Sequence, residues 1–236
     1  MPPFARLTVV ALAALALAGC QKAEDAAFGA KVRTYLLAHP EVIEEAVAKL
    51  QDNKRIEAAN KAVTGLRNER KALEADNRDF VANPNGRITV VEFFDYRCGY
   101  CKSSAPEVLK LIEQNPDLRF VFKEFPIFGG ESDLAAKVAL TPAGKARGLD
   151  IYRAFMTEKA LDEAAIDRQL ASLGLNPSAI KAAGNSTAIT KQIADSHALA
   201  QKLGIEGTPA FVIGDTLIPG ADMPALRAAI ARAKAG

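Results

Sequence analysis

The sequence predicts an α/β protein that is preceded by a helical segment, and its hydrophobic patterns support this class. Runs rich in Ile, Val and Phe at residues 87–95 and 118–125 are typical of buried strands. The alanine-rich stretch 129–203 has apolar residues at helical spacing, and strand-like runs return within residues 210–218. Ahead of the first strand, residues 28–80 follow a helical pattern.

The N-terminus is typical of an export signal. Arg6 supplies a positive charge, and residues 7–18 form an apolar run that is too short to span a bilayer. The run ends in Leu17-Ala18-Gly19-Cys20, which resembles a bacterial lipobox, where the cysteine is lipidated and becomes the new N-terminus. The alternative is an ordinary secretory signal with a chance cysteine. On either interpretation the chain is exported, and the lipidated cysteine predicts a protein anchored by its lipid in the bacterial cell envelope, facing the periplasm.

Charge and cysteine content narrow the possible functions. The 30 Lys and Arg residues are interleaved with 28 Asp and Glu residues, so nucleic acid is not an expected partner. Residues 20–27 are small and polar, which is typical of a tether between a lipid and a folded domain. With Cys20 assigned to the lipid anchor, Cys98 and Cys101 remain of the three cysteines. Two closely spaced cysteines in an exported domain of this size favour catalysis over structural stapling.

Residues 28–82 are predicted to be a helical segment that buries only a narrow apolar stripe. Such a helix is marginally stable alone and therefore needs a partner. That partner is either the chain's own domain or the same helix of another subunit. Gly65 and a break in the helical phase argue against one long regular coiled coil. The stripe comprises Val32, Tyr35, Leu36, Ile43, Val47, Leu50, Ile56, Ala59, Val63, Leu66 and Leu73.

The turn sequence Asn83-Pro84-Asn85-Gly86 predicts the start of the main domain, residues 83–236. After the first strand, a helix is expected over residues 99–114, with Pro106 as a kink. In the strand 118–125, alternation places Leu118, Phe120 and Phe122 on one face and Val121 and Lys123 on the other.

Residues 129–203 are predicted to be an inserted helical subdomain. Its His197 has no cluster of metal-ligand residues around it, so packing is favoured over metal binding. Gly214-Asp215 predicts a hairpin turn, and the chain ends in a helix over residues 223–233 that Asp222 can cap.

The order of these elements resembles that of the DsbA-like thiol-disulfide oxidoreductase family over about residues 80–236. Two separated motifs carry the resemblance: Cys98-Gly99-Tyr100-Cys101 at a helix start and Gly207-Thr208-Pro209 before the hairpin. It implies a thioredoxin fold with an inserted helical subdomain. It also implies that Thr208 and a cis Pro209 bind an extended client segment as an added strand.

The resemblance implies a role for each reactive residue. Cys98, at the helix N-terminus where the dipole favours a thiolate, would be the nucleophile, and Cys101, one turn further on, the resolving thiol. Glu92 matches the family's buried acid, which accepts the proton of the resolving thiol. Lys123 approximately matches a lysine beside that acid. No cofactor and no resident metal are expected.

The residues between the cysteines bear on the direction of the reaction. Gly99 and Tyr100 replace the Pro-His pair of strongly oxidising family members and resemble the pair in DsbC-type disulfide isomerases. Gly99 and Tyr100, together with Thr208 and Pro209, are expected to bind the client. The resemblance implies a less oxidising disulfide and a less stabilised Cys98 thiolate.

The start of the helical segment has a resemblance of its own. Residues 35–43, Tyr-Leu-Leu-Ala-His-Pro-Glu-Val-Ile, resemble the N-terminal region of ScsC-type relatives, some of which form trimers through it. This implies a homo-oligomer, with the trimer of those relatives as one form, in line with the unpartnered stripe.

The favoured hypothesis is a lipid-anchored, oligomeric disulfide isomerase or reductase. It would act on exported proteins with thiols or disulfides and be kept reduced by a membrane electron donor. Oligomerisation favours isomerisation because several sites around one cleft can hold and re-attack a misoxidised client. The alternatives are a dithiol oxidase that introduces disulfides, a module that binds Cu(I) through Cys98 and Cys101, and a structural lipoprotein with an inactive fold.

Overall fold

A computed structural model of the protein describes residues 27–235. The chain forms two compact units, the first ending at Ala58 and the second beginning at Ala59. The predicted export signal and Cys20, on which the lipidation prediction falls, lie outside the described residues. Across residues 27–235, no helix combines the length and the apolar character that crossing a bilayer requires.

The described part of the first unit, residues 27–58, is helical apart from the turn at residues 39–40. Helix α1 covers residues 27–38, and helix α2 (Glu41–Asn68) follows after a turn at His39-Pro40 and continues into the second unit. The amide of Ile43 donates to the carbonyl of Pro40 (3.1 Å), so the proline opens the helix as expected. Apolar side chains along both helices are exposed: Phe28, Val32, Tyr35, Leu37, Ile43, Val47, Leu50 and Ile56.

The second unit is built on a five-stranded mixed sheet. Its strand order is β1-β3-β2-β4-β5, in which β2 and β3 are parallel and the other neighbours are antiparallel. The strands are β1 (Phe80–Ala82), β2 (Ile88–Phe94), β3 (Leu118–Glu124), β4 (Ala210–Ile213) and β5 (Thr216–Pro219).

Strand β1 corrects the sequence prediction. Residues 28–82 were expected to be helical, which is wrong for residues 75–82, because the helical part ends at Glu74 and residues 80–82 pair with β3 at the edge of the sheet. The predicted boundary between residues 82 and 83 consequently falls inside the second unit.

Helices cover the sheet, and most of them lie between β3 and β4 in sequence, where a helical insertion was predicted. Asp222 caps the last helix by accepting a hydrogen bond from the amide of Ala225 (2.9 Å). Beyond α2, the helices are α3 (Arg70–Glu74), α4 (Gly99–Gln114), α5 (Gly130–Ala139), α6 (Pro142–Ala146), α7 (Gly148–Thr157), α8 (Glu163–Ser172), α9 (Pro177–Gly184), α10 (Thr187–Lys202) and α11 (Met223–Ala235).

The two faces of the sheet have separate hydrophobic cores. Phe120 and Phe122 of β3 pack in the same core as Leu226 of α11, whereas Val121 lies in the other core with Leu199 of α10. The alternation predicted for this strand is therefore confirmed. Successive side chains of a strand point to opposite faces, so the register of β3 decides which residues can reach the cysteine pair.

The end of the predicted apolar stripe is buried in the second unit. Leu66 of α2 and Leu73 of α3 lie in the core that contains Val121. Asp215, in the turn between β4 and β5, accepts hydrogen bonds from Arg67 (2.6 and 2.8 Å) and Arg70 (2.5 Å). For this part of the stripe, packing on the chain's own domain is confirmed.

A buried ion pair joins the sheet to the segment that precedes β1. Lys123 Nζ contacts Asp79 Oδ2, and both side chains are 2 % exposed. The same ammonium donates to the carbonyl of Ala72 (2.6 Å), and Gln192 donates to the other oxygen of Asp79 (3.1 Å). Removing one partner of such a pair leaves an uncompensated charge in the interior.

The substitution Asp79→Asn tests this pair. Because Lys123 would lose its buried counter-charge, the free energy of unfolding is expected to fall by about 3–5 kcal/mol, measured by urea denaturation. Asp150→Asn is the control, since it removes the partner of Arg147 from an exposed pair, and should cost less than about 1 kcal/mol. Equal losses in the two variants would contradict the assignment.

Candidate active site

The cysteine pair lies at the junction of β2 and α4. A turn follows β2, in which the amide of Cys98 donates to the carbonyl of Asp95 (3.1 Å). Cys98 is the N-cap residue of α4, and its sulfur accepts a long hydrogen bond from the amide of Cys101 (3.5 Å). Both cysteines are reduced and buried, whereas Tyr100 between them is 73 % exposed. The predicted position of the two thiols at the start of a helix is therefore confirmed.

The environment of Cys98 stabilises its thiolate. The hydrogen bond from the Cys101 thiol is the largest influence and, with further donors, lowers the pKa of Cys98 from 9.0 to about 5. Burial opposes this shift, while Thr208 and the backbone amides of Cys101 and Tyr100 favour it. A thiolate at a helix N-terminus with several donors is the reactive form of a cysteine. At neutral pH, Cys98 is thus a ready nucleophile.

Cys101 has the opposite character. Its side chain is fully buried, and burial, as the largest influence, raises the pKa of Cys101 far above its usual range. Its hydrogen bond to Cys98 and the negative charge of Glu92 act in the same direction. The two thiols are therefore separated in acidity, so one is ionised while the other keeps its proton.

The second predicted motif lies directly beside Cys98. The Thr208-Pro209 peptide bond is cis, as expected. Cys98 Sγ lies 3.2 Å from the carbonyl oxygen of Thr208, to which its thiol form donates. Within the described chain, the hydroxyl of Thr208 is buried and lacks a hydrogen-bond partner; it is therefore available to donate to the Cys98 thiolate, whose pKa the Thr208 side chain helps to lower. A groove runs along this loop, lined by residues 204–210 and by Leu217, Pro219 and Gly220.

Glu92 lies under the pair, in the middle of the sheet. It is opposite Phe122 of β3 and Phe211 of β4 and is fully buried. Both of its carboxylate oxygens lie 3.2 Å from the hydroxyl of Tyr152, on α7. Burial, the largest influence, raises the pKa of Glu92 to about 8, although the bond from Tyr152 lowers it.

Lys123 does not lie beside Glu92, and the expectation that it does is wrong. Lys123 pairs with Phe93, the next residue along β2, so its side chain points to the opposite face of the sheet, where it contacts Asp79. Its neighbour Glu124 lies on the Glu92 face and accepts a hydrogen bond from Tyr96 (3.0 Å).

Sequence reasoning missed Tyr152 and Asp95. Tyr152 is 60 residues from Glu92 in the chain, and no local motif marks it. Asp95 is buried, and its carboxylate accepts four hydrogen bonds of 2.7–3.1 Å, which tie residues 127, 128 and 132 to the turn before Cys98. The sequence offered one signal for Asp95: it is an acidic residue directly before the turn that leads into the CxxC motif.

Potential metal ligands are scattered over the described part of the chain. Within residues 27–235, no cluster of three or more His, Cys, Asp or Glu side chains could hold a metal ion. His197 packs against the ring of Phe125, with centroids 4.7 Å apart, in agreement with a packing role.

A CxxC dithiol at a helix start beside a cis-proline loop, on a mixed sheet, defines the thioredoxin-fold class. The chain belongs to the DsbA-like thioredoxin domain family, whose model matches residues 89–231. Residues 24–58 match a second model, the copper resistance protein ScsC N-terminal domain. The predicted fold and both predicted resemblances are thereby confirmed.

Individual relatives agree with this assignment. A thioredoxin-like oxidoreductase from Silicibacter pomeroyi is 38 % identical (TM-score 0.67) and is covered over 98 % of its length by 71 % of this chain. Proteus mirabilis ScsC, in a transitional conformation, is 31 % identical (TM-score 0.64), with 89 % of this chain and 96 % of ScsC aligned. The thiol:disulfide interchange protein DsbA of Bordetella pertussis is 29 % identical over 135 residues, which are 55 % of this chain and 64 % of that protein.

The hydroxyl of Thr208 offers a test of the thiolate environment. Thr208→Val keeps the shape of the side chain and removes a donor to Cys98, so the pKa of Cys98 should rise by about one unit. The pH dependence of thiolate absorbance at 240 nm measures it. The control Thr216→Val, at an exposed position of β5, should change nothing. An unchanged titration in Thr208→Val would contradict a role for this hydroxyl.

Proposed function

We propose that this protein is a thiol-disulfide oxidoreductase of exported proteins that acts mainly as a disulfide isomerase and reductase. The observation that carries the proposal is the pairing of a stabilised Cys98 thiolate with a buried, protonated Cys101 beside the cis Thr208-Pro209 loop. Such a pair can open a client disulfide and then complete the reaction in two ways.

The first step is attack by the Cys98 thiolate on one sulfur of a client disulfide. The client S–S bond breaks, a Cys98–client disulfide forms, and the other client sulfur leaves as a thiolate. The client segment lies along the Thr208-Pro209 loop, whose backbone can bind it as an added strand. Up to this point, no net oxidation or reduction has occurred.

The mixed disulfide then has two fates. Another client thiolate can attack the client sulfur, which forms a new client disulfide and frees Cys98, so that the client is isomerised. Alternatively, Cys101 passes its proton to the ionised form of Glu92 and attacks Cys98, which releases the client thiolate and leaves a Cys98–Cys101 disulfide. The client is then reduced by two electrons, and a membrane thiol-disulfide donor must reduce the enzyme again.

Two features favour isomerisation. Cys101 is slow to ionise because it is buried, which prolongs the mixed disulfide and gives client thiols time to attack.

The apolar side chains of α1 and of the first part of α2 are exposed in one chain. A second and a third copy can cover them, and residues 24–58 match the ScsC N-terminal domain. Several sites then face one client.

A dithiol oxidase is the second candidate. A Cys98 pKa of about 5 stabilises the reduced enzyme and so makes its disulfide more oxidising. The Bordetella relative is named a thiol:disulfide interchange protein. In this case, the Cys98–Cys101 disulfide would take two electrons from client thiols.

Refolding of scrambled ribonuclease by the reduced full-length protein separates these functions. If the protein is an isomerase, its reduced form restores ribonuclease activity without added oxidant. If it is an oxidase, the reduced form does not, and activity returns only when the protein with a Cys98–Cys101 disulfide is added in excess to reduced ribonuclease and accepts its electrons. The double variant Val47→Glu, Leu50→Glu places charge on the exposed stripe and should lose both the oligomer and at least tenfold of the isomerase rate.

In that experiment, light scattering reports the oligomer, and Lys49→Gln is the matched control on the same helix. Insulin reduction, which needs only one site, should persist in the double variant. A monomeric wild-type protein, or full isomerase activity in the charged variant, would contradict the proposed role of the stripe.

We further propose that Cys20 carries a lipid that holds the protein on the periplasmic side of a membrane. The variant Cys20→Ser should move the protein from the detergent-rich phase to the aqueous phase in a Triton X-114 separation. Identical partitioning of the variant and the wild type would favour the ordinary secretory signal.

A further inference from the structure

We propose that Tyr152 is a positioning residue of this reaction, whose hydroxyl holds the carboxylate of Glu92 ready to receive the proton of Cys101. The inference rests on the proposed function, because it assumes that Glu92 accepts this proton. It assigns a task to α7 and therefore makes the helical insertion part of the active site.

The hydrogen bonding of Glu92 singles out Tyr152. The Tyr152 hydroxyl is equidistant, at 3.2 Å, from both carboxylate oxygens. Within residues 27–235, no other group donates to this carboxylate. An ionised carboxylate has about four acceptor sites, so a single shared donor leaves it poorly satisfied. The position of Glu92 therefore depends on this one contact.

The groups around Glu92 offer no positive charge, so the hydrogen bond from Tyr152 is the main stabilising contact of its ionised form. Glu92 interacts electrostatically with Cys98, the N-cap residue of α4, and with Cys101 inside that helix. The other groups that face it are Tyr96 after β2, Glu124 of β3 and Tyr152 of α7. None of these groups carries a positive charge. The lysine expected beside Glu92 lies on the other face of the sheet, so a neutral hydroxyl takes its place.

Packing fixes the Tyr152 ring. Its side chain is 1 % exposed, and its ring centroid lies 4.9 Å from that of Phe122, 5.4 Å from Phe94 and 6.4 Å from Tyr96. Such a ring cannot turn away without opening the core. The hydroxyl is consequently presented to Glu92 before any client binds.

The resolving step uses this arrangement as follows. The S–H bond of Cys101 breaks, and its proton passes to the Glu92 carboxylate while the sulfur attacks Cys98. The bond between Cys98 and the client breaks, the Cys98–Cys101 disulfide forms, and the client leaves as a thiolate. Tyr152 donates to Glu92 throughout and changes neither its own protonation nor its oxidation state.

The test uses the isosteric variant Tyr152→Phe and the two-phase reaction with dithionitrobenzoate. Attack by Cys98 releases one coloured thiolate, and resolution by Cys101 releases the second. Loss of the donor makes the ionised Glu92 harder to form. The second phase should therefore slow about tenfold at pH 6, and its pH midpoint should rise by about one unit. The first phase should keep its rate.

Two further variants separate positioning from structure. Tyr96→Phe removes a hydroxyl from the same aromatic cluster that bonds to Glu124 instead of Glu92, and should leave the pH midpoint of the second phase unchanged. The double variant Glu92→Gln, Tyr152→Phe should equal Glu92→Gln alone, because Tyr152 acts through Glu92.

The variants Glu92→Gln and Tyr152→Phe distinguish the role of Tyr152 from the role of Glu92 in the proposed function. A normal second phase in Glu92→Gln would remove the role of Glu92 in the reaction. A slow second phase in Glu92→Gln with a wild-type pH midpoint in Tyr152→Phe would overturn the role of Tyr152 alone.

If Tyr152→Phe does not fold, the wild-type protein labelled at tyrosine Cζ gives the answer. A Tyr152 signal that shifts with the titration of Glu92 supports the contact, and a constant signal overturns it.

Discussion

The pairing of β2 with its two neighbours is the constraint on which the active site depends. The last antiparallel pair of β2 and β4 is Phe93 with Ala210, which brings the cis Thr208-Pro209 bond to the end of β2, where α4 begins. The parallel pairing with β3 fixes which side chains accompany Glu92 beneath the cysteines. A shift of one residue in either pairing would turn every side chain of that strand to the other face.

The pairing of β2 with β3 and β4 gives the two thiols different surroundings, although they are one helical turn apart. Cys98 is at the helix end, where amides and the Thr208 hydroxyl can donate to it. Cys101 is already inside the core, over a carboxyl group. The difference in acidity therefore follows from depth. The outer sulfur is ionised at neutral pH, and in the proposed mechanism the inner sulfur reacts only when a base accepts its proton.

Much of this arrangement could be predicted from the sequence. Alternation and turn residues predicted β2 to β5, and the two motifs predicted the thiol pair and its neighbouring loop. β1 was missed because three residues at a sheet edge have no pattern of their own until they pair with β3. Lys123 was placed on the wrong face because an offset of one residue reverses orientation in a strand. Tyr152 was out of reach because only tertiary packing brings α7 to Glu92.

The capping role of Cys98 links folding to redox state. The pKa of Cys98 falls from 9.0 to about 5 in the folded protein, so its ionisation stabilises the fold. This contribution is complete above pH 9, where the unfolded cysteine is also ionised, and disappears as the pH falls through 5. A Cys98–Cys101 disulfide would remove the charged sulfur from the helix end. The reduced protein thus gains stability that the oxidised protein lacks, whereas a structural disulfide has the opposite effect.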